Sequence, residues 1–193
     1  MKKILLIILS LFIVTSSLVF ANQDKEQKKE GDFFMNKKIL IVYYSLSGNT
    51  KTIAQKIQKQ FNCDITSIEP QTPYPDDYNE LAYGVAKMQK EKNIHPPIKK
   101  IDFDVKNYNI IFVGTPAWWY TMAPPVMTFL SQNDFEGKTV IPFITHGGGG
   151  KYNIEDDMRK LAKGSKVLTP FVVYEKGDEN TDKALELWLK EFK

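Results

Sequence analysis

The 193-residue chain holds one cysteine and two histidines. Cys63 alone forms no intrachain disulfide, and a single thiol excludes a multi-cysteine metal or iron–sulfur site; the residue reads as a small apolar one at a strand start. His95 and His146 lie far apart in sequence without neighbouring ligand spacing, so no metal centre is expected. Charge of one sign is scarce as well. Against 26 lysines and arginines stand 23 aspartates and glutamates, a formal net charge of +3, and no basic stripe points to nucleic acid. Two nucleotide signatures are missing: no G-x-x-x-x-G-K-[ST] occurs, and the loop after the first strand does not match G-x-G-x-x-G, so neither a triphosphate P-loop nor a dinucleotide site has its fingerprint.

What is present begins with Lys2 and Lys3, the apolar Ile4–Phe20 and the small-residue site Val19-Phe20-Ala21. These are the three regions of a secretory signal peptide, with cleavage after Ala21. The mature protein is then expected to be exported, secreted or periplasmic, and loss of two lysines lowers the charge from +3 to +1. Because the apolar run is nearly long enough to span a bilayer, an uncleaved anchor with membrane association is the alternative. Asn22–Asn36 is polar and charged, too poor in apolar residues to fold alone, and reads as a flexible linker ahead of a domain over residues 37–193. A translation start at Met35 would instead give a cytoplasmic protein that begins just before the first strand.

The apolar run Ile39–Tyr44 breaks into Ser45-Leu46-Ser47-Gly48-Asn49-Thr50 and resumes with helical period through Phe61, which predicts strand, tight loop and helix N-terminus. A short strand over Cys63–Ile68, a helix over Tyr78–Lys92, a strand over Tyr108–Val113 and a helix from Pro124-Pro125 to Gln132 follow. Strand Thr139–Thr145, helix Ile154–Ala162, strand Lys166–Tyr174 and helix Thr181–Phe192 complete the pattern. Such alternation, with strands apolar on both faces, means a parallel sheet covered by helices on both sides, an α/β doubly wound architecture. Ligands of such sheets bind beyond the carboxyl ends of the strands.

Three loops of unusual composition open on that edge. Ser45–Thr50 combines helix-start amides, the positive end of a helix dipole and the short polar side chains of Ser45, Ser47, Asn49 and Thr50, a cradle for a phosphate. Thr115–Tyr120 carries three consecutive aromatics, which cannot all face one core; Trp118 is the expected platform for a planar ring. Thr145–Gly150 ends in four glycines, through which backbone can approach a ligand closely. A phosphate, a planar ring and backbone contact together describe a mononucleotide with a large flat heterocycle, flavin mononucleotide (FMN).

On Tyr43–Lys51, Gly114–Trp119 and Gly137–Gly148 the sequence resembles the flavodoxin family, from about Lys37 to Lys193. The resemblance implies a flavodoxin-like, three-layer fold whose five parallel strands run in the order 2-1-3-4-5. It also implies noncovalent FMN, its phosphate at Ser45, Leu46, Ser47, Gly48, Asn49 and Thr50. The flavin ring would lie between Thr115, Pro116, Ala117, Trp118 and Trp119 on one side and Thr145, His146, Gly147 and Gly148 on the other. Two residues depart from similar sequences: Tyr120 stands where glycine is frequent, and His146 where a small hydroxyl residue is common. The function so implied is electron transport, as a low-potential one-electron carrier to a redox protein or a small-molecule acceptor. The alternative is an FMN-dependent NAD(P)H:quinone-type reductase, for which the insertion Asp76–His95 would shape a second pocket. A cofactor-free interaction module is the third reading on the same fold.

Overall fold

The computed structural model describes residues 33–192. The export signal expected over residues 1–21 and residues 22–32 of the expected linker lie outside the described residues. Residues 37–185 form one unit, and residues 33–36 with 186–192 belong to a second. In the second, the rings of Phe33 and Phe34 lie 5.8 and 6.0 Å from Phe192, and Trp188 lies 5.1 Å from it.

Within residues 37–185 the order is β1 (Ile39–Tyr43), α1 (Asn49–Phe61), β2 (Asp64–Ser67), a π-helical stretch Glu80–Ala86 continued by α2 (Lys87–Glu91), and a 3-10 turn Val105–Asn107. Then come β3 (Ile110–Trp118), β4 (Thr121–Met122), α3 (Pro124–Gln132), β5 (Thr139–His146), α4 (Ile154–Leu161), β6 (Lys166–Val167) and β7 (Phe171–Tyr174). The last helix, α5, spans Thr181–Leu189. β1 pairs in parallel with β2 and β3, and β5 pairs in parallel with β3, β6 and β7. This is the expected 2-1-3-4-5 order with its fifth strand in two pieces. Leu168 still donates its N–H to Val140 at 2.9 Å, but Pro170 has no N–H to give, so the ladder breaks there and resumes at Phe171.

Strand periodicity sorts the core into two layers. Leu40, Ile111 and Val140 are register neighbours on one face, in a buried cluster with Val126, Phe129 and Leu130 of α3 and Ile154 and Met158 of α4. Ile41, Phe112 and Ile141 share the other face, where the Phe61 ring of α1 stands 5.6 Å from Phe112. Ile53, Ala54 and Ile57 of α1 are fully buried, spaced for one helix face. Thus α1 covers one side of the sheet and α3 and α4 the other.

α4 begins with Glu155, Asp156 and Asp157 and ends with Arg159 and Lys160, charges that complement its dipole. Glu155 accepts hydrogen bonds from Lys151 at 2.8 Å and from Arg159. The Lys151 bond is the main influence holding its carboxyl below the usual range. A carboxyl pKa lowered by folding adds stability that is fully present above the unfolded pKa and is lost as pH falls through the folded one. Since both cations are about half exposed, the pairs together contribute at most about 1 kcal/mol. Glu155→Gln should lower the melting temperature by about 2–4 °C at neutral pH, with the difference closing in acid; a difference that persists below the folded carboxyl pKa would contradict this origin.

Candidate functional site

At the carboxyl ends of β1, β3 and β5 lies a cavity of about 710 Å³, within the roughly 300–1,000 Å³ typical of ligand pockets. All three expected loops reach it. Leu46, Ser47, Asn49 and Thr50 line it from the first, Pro116, Ala117, Trp118 and Trp119 from the second, and Thr145, His146 and Gly147 from the third. Ser45, Gly48, Thr115 and Gly148 are not among the lining residues. Each has a different place.

Gly48 is the N-cap of α1, with φ 90° and no side-chain cap bond. Its backbone takes the left-handed conformation that glycine adopts at no steric cost. The amides of the first helical turn have no intrahelical acceptor, and the turn holds no acidic residue. Thr50 is buried and its hydroxyl shares a 2.8 Å hydrogen bond with that of Thr145, which ties the first loop to the third. Among the described residues, Ser45 Oγ is the buried side-chain polar atom that lacks a hydrogen-bond partner. A buried hydroxyl left unpaired costs about 1–3 kcal/mol, so its position in the loop leading into an uncapped helix N-terminus fits the donor set of a phosphate cradle.

The second segment differs from the expected loop. β3 runs on to Trp118, and the chain turns through Trp119 and Tyr120 into β4, with Trp118 opposite Thr121 and Ala117 opposite Met122. Both turn residues have positive φ, 46° and 69°, as two-residue hairpins of the primed type require, although two bulky side chains there carry backbone strain. Buried Thr115 holds the hairpin from behind, accepting the Ala123 N–H at 3.0 Å and donating to Pro116 O at 2.9 Å. Thr121 anchors the far arm to α4 by donating to Asp157 at 2.8 Å.

The three aromatics go to three environments, as their adjacency demands. Trp118 lines the cavity while its ring meets Tyr44 and Tyr74 edge-on, at 5.6 and 5.2 Å. Burial pushes both tyrosine phenols far above their ordinary pKa, Tyr44 with a further contribution from Tyr74, so they are neutral at neutral pH. Trp119 Nε1 donates to Ala82 O at 2.7 Å, and Tyr120 is exposed with its ring 5.1 Å from Tyr152. Trp119→Phe removes the donor that ties the hairpin to the π-helical stretch, so amide hydrogen exchange across Glu80–Ala86 should accelerate; unchanged protection there would contradict the tie.

In the third loop, His146 Nδ1 accepts the Gly148 N–H at 3.0 Å, which leaves its other ring nitrogen to carry the proton in the neutral form. Gly149 does not keep its space for a ligand as the sequence suggests. A side chain there would overlap Tyr152 of the same chain, whereas Gly147 and Gly148 have open space around them.

One further wall comes largely from the insertion Asp76–His95, whose individual lining residues the sequence does not single out. Tyr78, Leu81, Ala82, Tyr83 and Ala86 line the cavity from the insertion, and Tyr120, Gly149, Tyr152 and Glu175 line it from the strand ends. The expected helix Tyr78–Lys92 starts instead as a π-helical stretch, a conformation frequent at functional sites. Leu81 and Ala86, five residues apart, are both buried.

The expected FMN fits these residues. An uncapped helix start with the unpaired Ser45 hydroxyl suits a phosphate dianion, and a cavity walled by Trp118, Trp119 and the open Gly147 suits a planar ring. Comparison with known proteins points the same way. A family model described as Flavodoxin matches residues 38–191. Flavodoxin 1 of Salmonella typhimurium is 29% identical over 107 residues, which is 53% of this chain and 46% of that protein; the match thus spans about half the length of the curated relative. A candidate flavoprotein from Bacteroides eggerthii is similar in structure with a TM-score of 0.68 and 27% identity, over 81% of this chain and 98% of its own. A flavoprotein from Lactobacillus acidophilus, solved in complex with FMN, gives a TM-score of 0.61 and 28% identity over 76% of this chain and 97% of its own. The chain belongs to the flavodoxin family.

Proposed function

We propose that this chain is an FMN-binding electron-transfer protein, a low-potential one-electron carrier. The observation that carries the reading is the convergence of the three loops on one cavity, with an unpaired buried hydroxyl in the loop leading to the uncapped start of α1. The FMN complex of the similar Lactobacillus flavoprotein supports it. Bound FMN supplies the redox chemistry, and the protein positions and tunes it. Ser45, Ser47 and the first-turn amides of α1 hold the phosphate, and Thr50 keeps the first and third loops in register through Thr145. Trp118, braced by the neutral Tyr44 and Tyr74, offers a ring environment of low polarity. Such an environment next to a phosphate dianion disfavours further negative charge, which lowers the potential of the second reduction step.

The same proposal includes export through residues 1–21 and an acceptor that is either a redox protein or a small molecule. Protein incubated with FMN and desalted should stay yellow, and anaerobic photoreduction should proceed in two separated one-electron steps without response to NADH or NADPH. Colourless protein after desalting would overturn the reading. Fast stoichiometric bleaching by a nicotinamide would replace the carrier with a reductase.

A further inference from the structure

Part of the cavity wall lies beyond the residues assigned to FMN. Tyr78, Tyr83, Tyr120 and Tyr152 all line the cavity, yet 69%, 62%, 61% and 38% of their surfaces remain exposed. They are grouped rather than scattered: the Tyr78 and Tyr83 rings stand 6.4 Å apart, Tyr83 and Trp119 5.9 Å, and Tyr120 and Tyr152 5.1 Å, all edge to face. Exposed aromatic surface gathered at one cavity marks a place where a ligand covers it. The wall is also preformed. Leu81 and Ala86 bury its inner side, and the 2.7 Å bond from Trp119 Nε1 to Ala82 O locks it to the hairpin, so little ordering is needed on binding.

Charge selects the ligand. Among the described residues no lysine or arginine lines this cavity, and Glu175 is its formally charged side chain, with His146 the other titratable group besides the tyrosines. A cation beside the wall, Lys87, stands over the Trp119 ring at 5.8 Å and faces Glu91 at 3.9 Å. An FMN phosphate in the cradle adds negative charge. A second anion is therefore disfavoured, and a dinucleotide finds no cation among the lining side chains for its pyrophosphate, whereas an uncharged flat ring gains aromatic contact at no electrostatic cost.

We propose that the tyrosine wall of Tyr78 and Tyr83 with Tyr120 and Tyr152 is a second subsite of the FMN cavity that binds a neutral planar aromatic molecule, the class that includes quinones. This rests on the FMN reading and extends it to the small molecule that shares the cavity. The probe is 2-methyl-1,4-naphthoquinone against its ring-sulfonated analogue, titrated calorimetrically into the oxidised FMN-loaded full chain. The neutral ring should bind at least tenfold more tightly than the sulfonate. The double variant Tyr78→Ser/Tyr83→Ser should lose about tenfold of naphthoquinone affinity while its FMN dissociation constant stays within twofold of the parent. Equal binding of neutral and sulfonated rings, or undiminished naphthoquinone affinity in the double variant, would overturn the subsite with FMN still held. Failure of the parent chain to retain FMN would overturn the FMN reading itself, and this proposal with it.

Discussion

Replacing Ser45 and Ser47 together by alanine should weaken FMN binding by a hundredfold or more and leave riboflavin binding nearly unchanged. A hydrogen bond to a charged group contributes about 1.5–3 kcal/mol, so two of them on a phosphate account for at least two powers of ten; riboflavin has no phosphate to lose them from. Ser45 adds a sign that separates function from structure. Its buried hydroxyl has no partner in the protein, and an unpaired buried polar group costs about 1–3 kcal/mol. Ser45→Ala should therefore raise the melting temperature of the flavin-free protein while it weakens FMN. Parallel losses of FMN and riboflavin affinity, or a less stable apoprotein, would remove Ser45 from the cradle.

Gly114→Ala should cause the largest loss of stability outside the cofactor site. Gly114 stands in register between Tyr43 of β1 and Phe143 of β5. An added Cβ would overlap the Phe143 ring and come 2.8 Å from Tyr43 Cβ, well inside ordinary contact. β3 is paired on both sides, so it cannot move aside without disturbing two ladders. Overpacking of this kind costs about 1–3 kcal/mol, and Phe143 is two residues from Thr145, whose bond to Thr50 aligns the loops, so FMN affinity should fall as well. Gly84→Ala is the control: its φ is not positive and a Cβ there meets open space. Thermal denaturation should show a drop of several degrees for Gly114→Ala and none for Gly84→Ala; equal behaviour would contradict the packing argument.

The parts of the fold legible in the sequence are those where local pattern and tertiary packing agree. α1 occupies Asn49–Phe61 as its period predicts because Ile53, Ala54 and Ile57 face the sheet. The sheet order follows the expected 2-1-3-4-5 because the central strands β1, β3 and β5 are apolar on both faces and the parallel strands are separated in sequence by helices. The extension of β3 through Trp118 was hidden by Gly114 and Pro116, residues that read as loop. Gly114 is required instead by the Phe143 ring, and Pro116 lies in the extended backbone that proline tolerates. The two-residue turn at Trp119 and Tyr120 lacks the glycine or asparagine that would signal it, and the strain is carried by the anchors Thr115 and Thr121. The tyrosine wall was half legible. The insertion Asp76–His95 stands out as a pocket-forming segment, but a π-helical stretch has no sequence period that ordinary helix reading would detect.

The most direct test of an FMN phosphate held at the start of α1 is the ratio of riboflavin to FMN dissociation constants of the unaltered protein, measured by calorimetric titration of the apoprotein. The phosphate cradle predicts a ratio of at least about a hundred, since two charge-assisted hydrogen bonds are at stake. Equal affinity for the two flavins would contradict it.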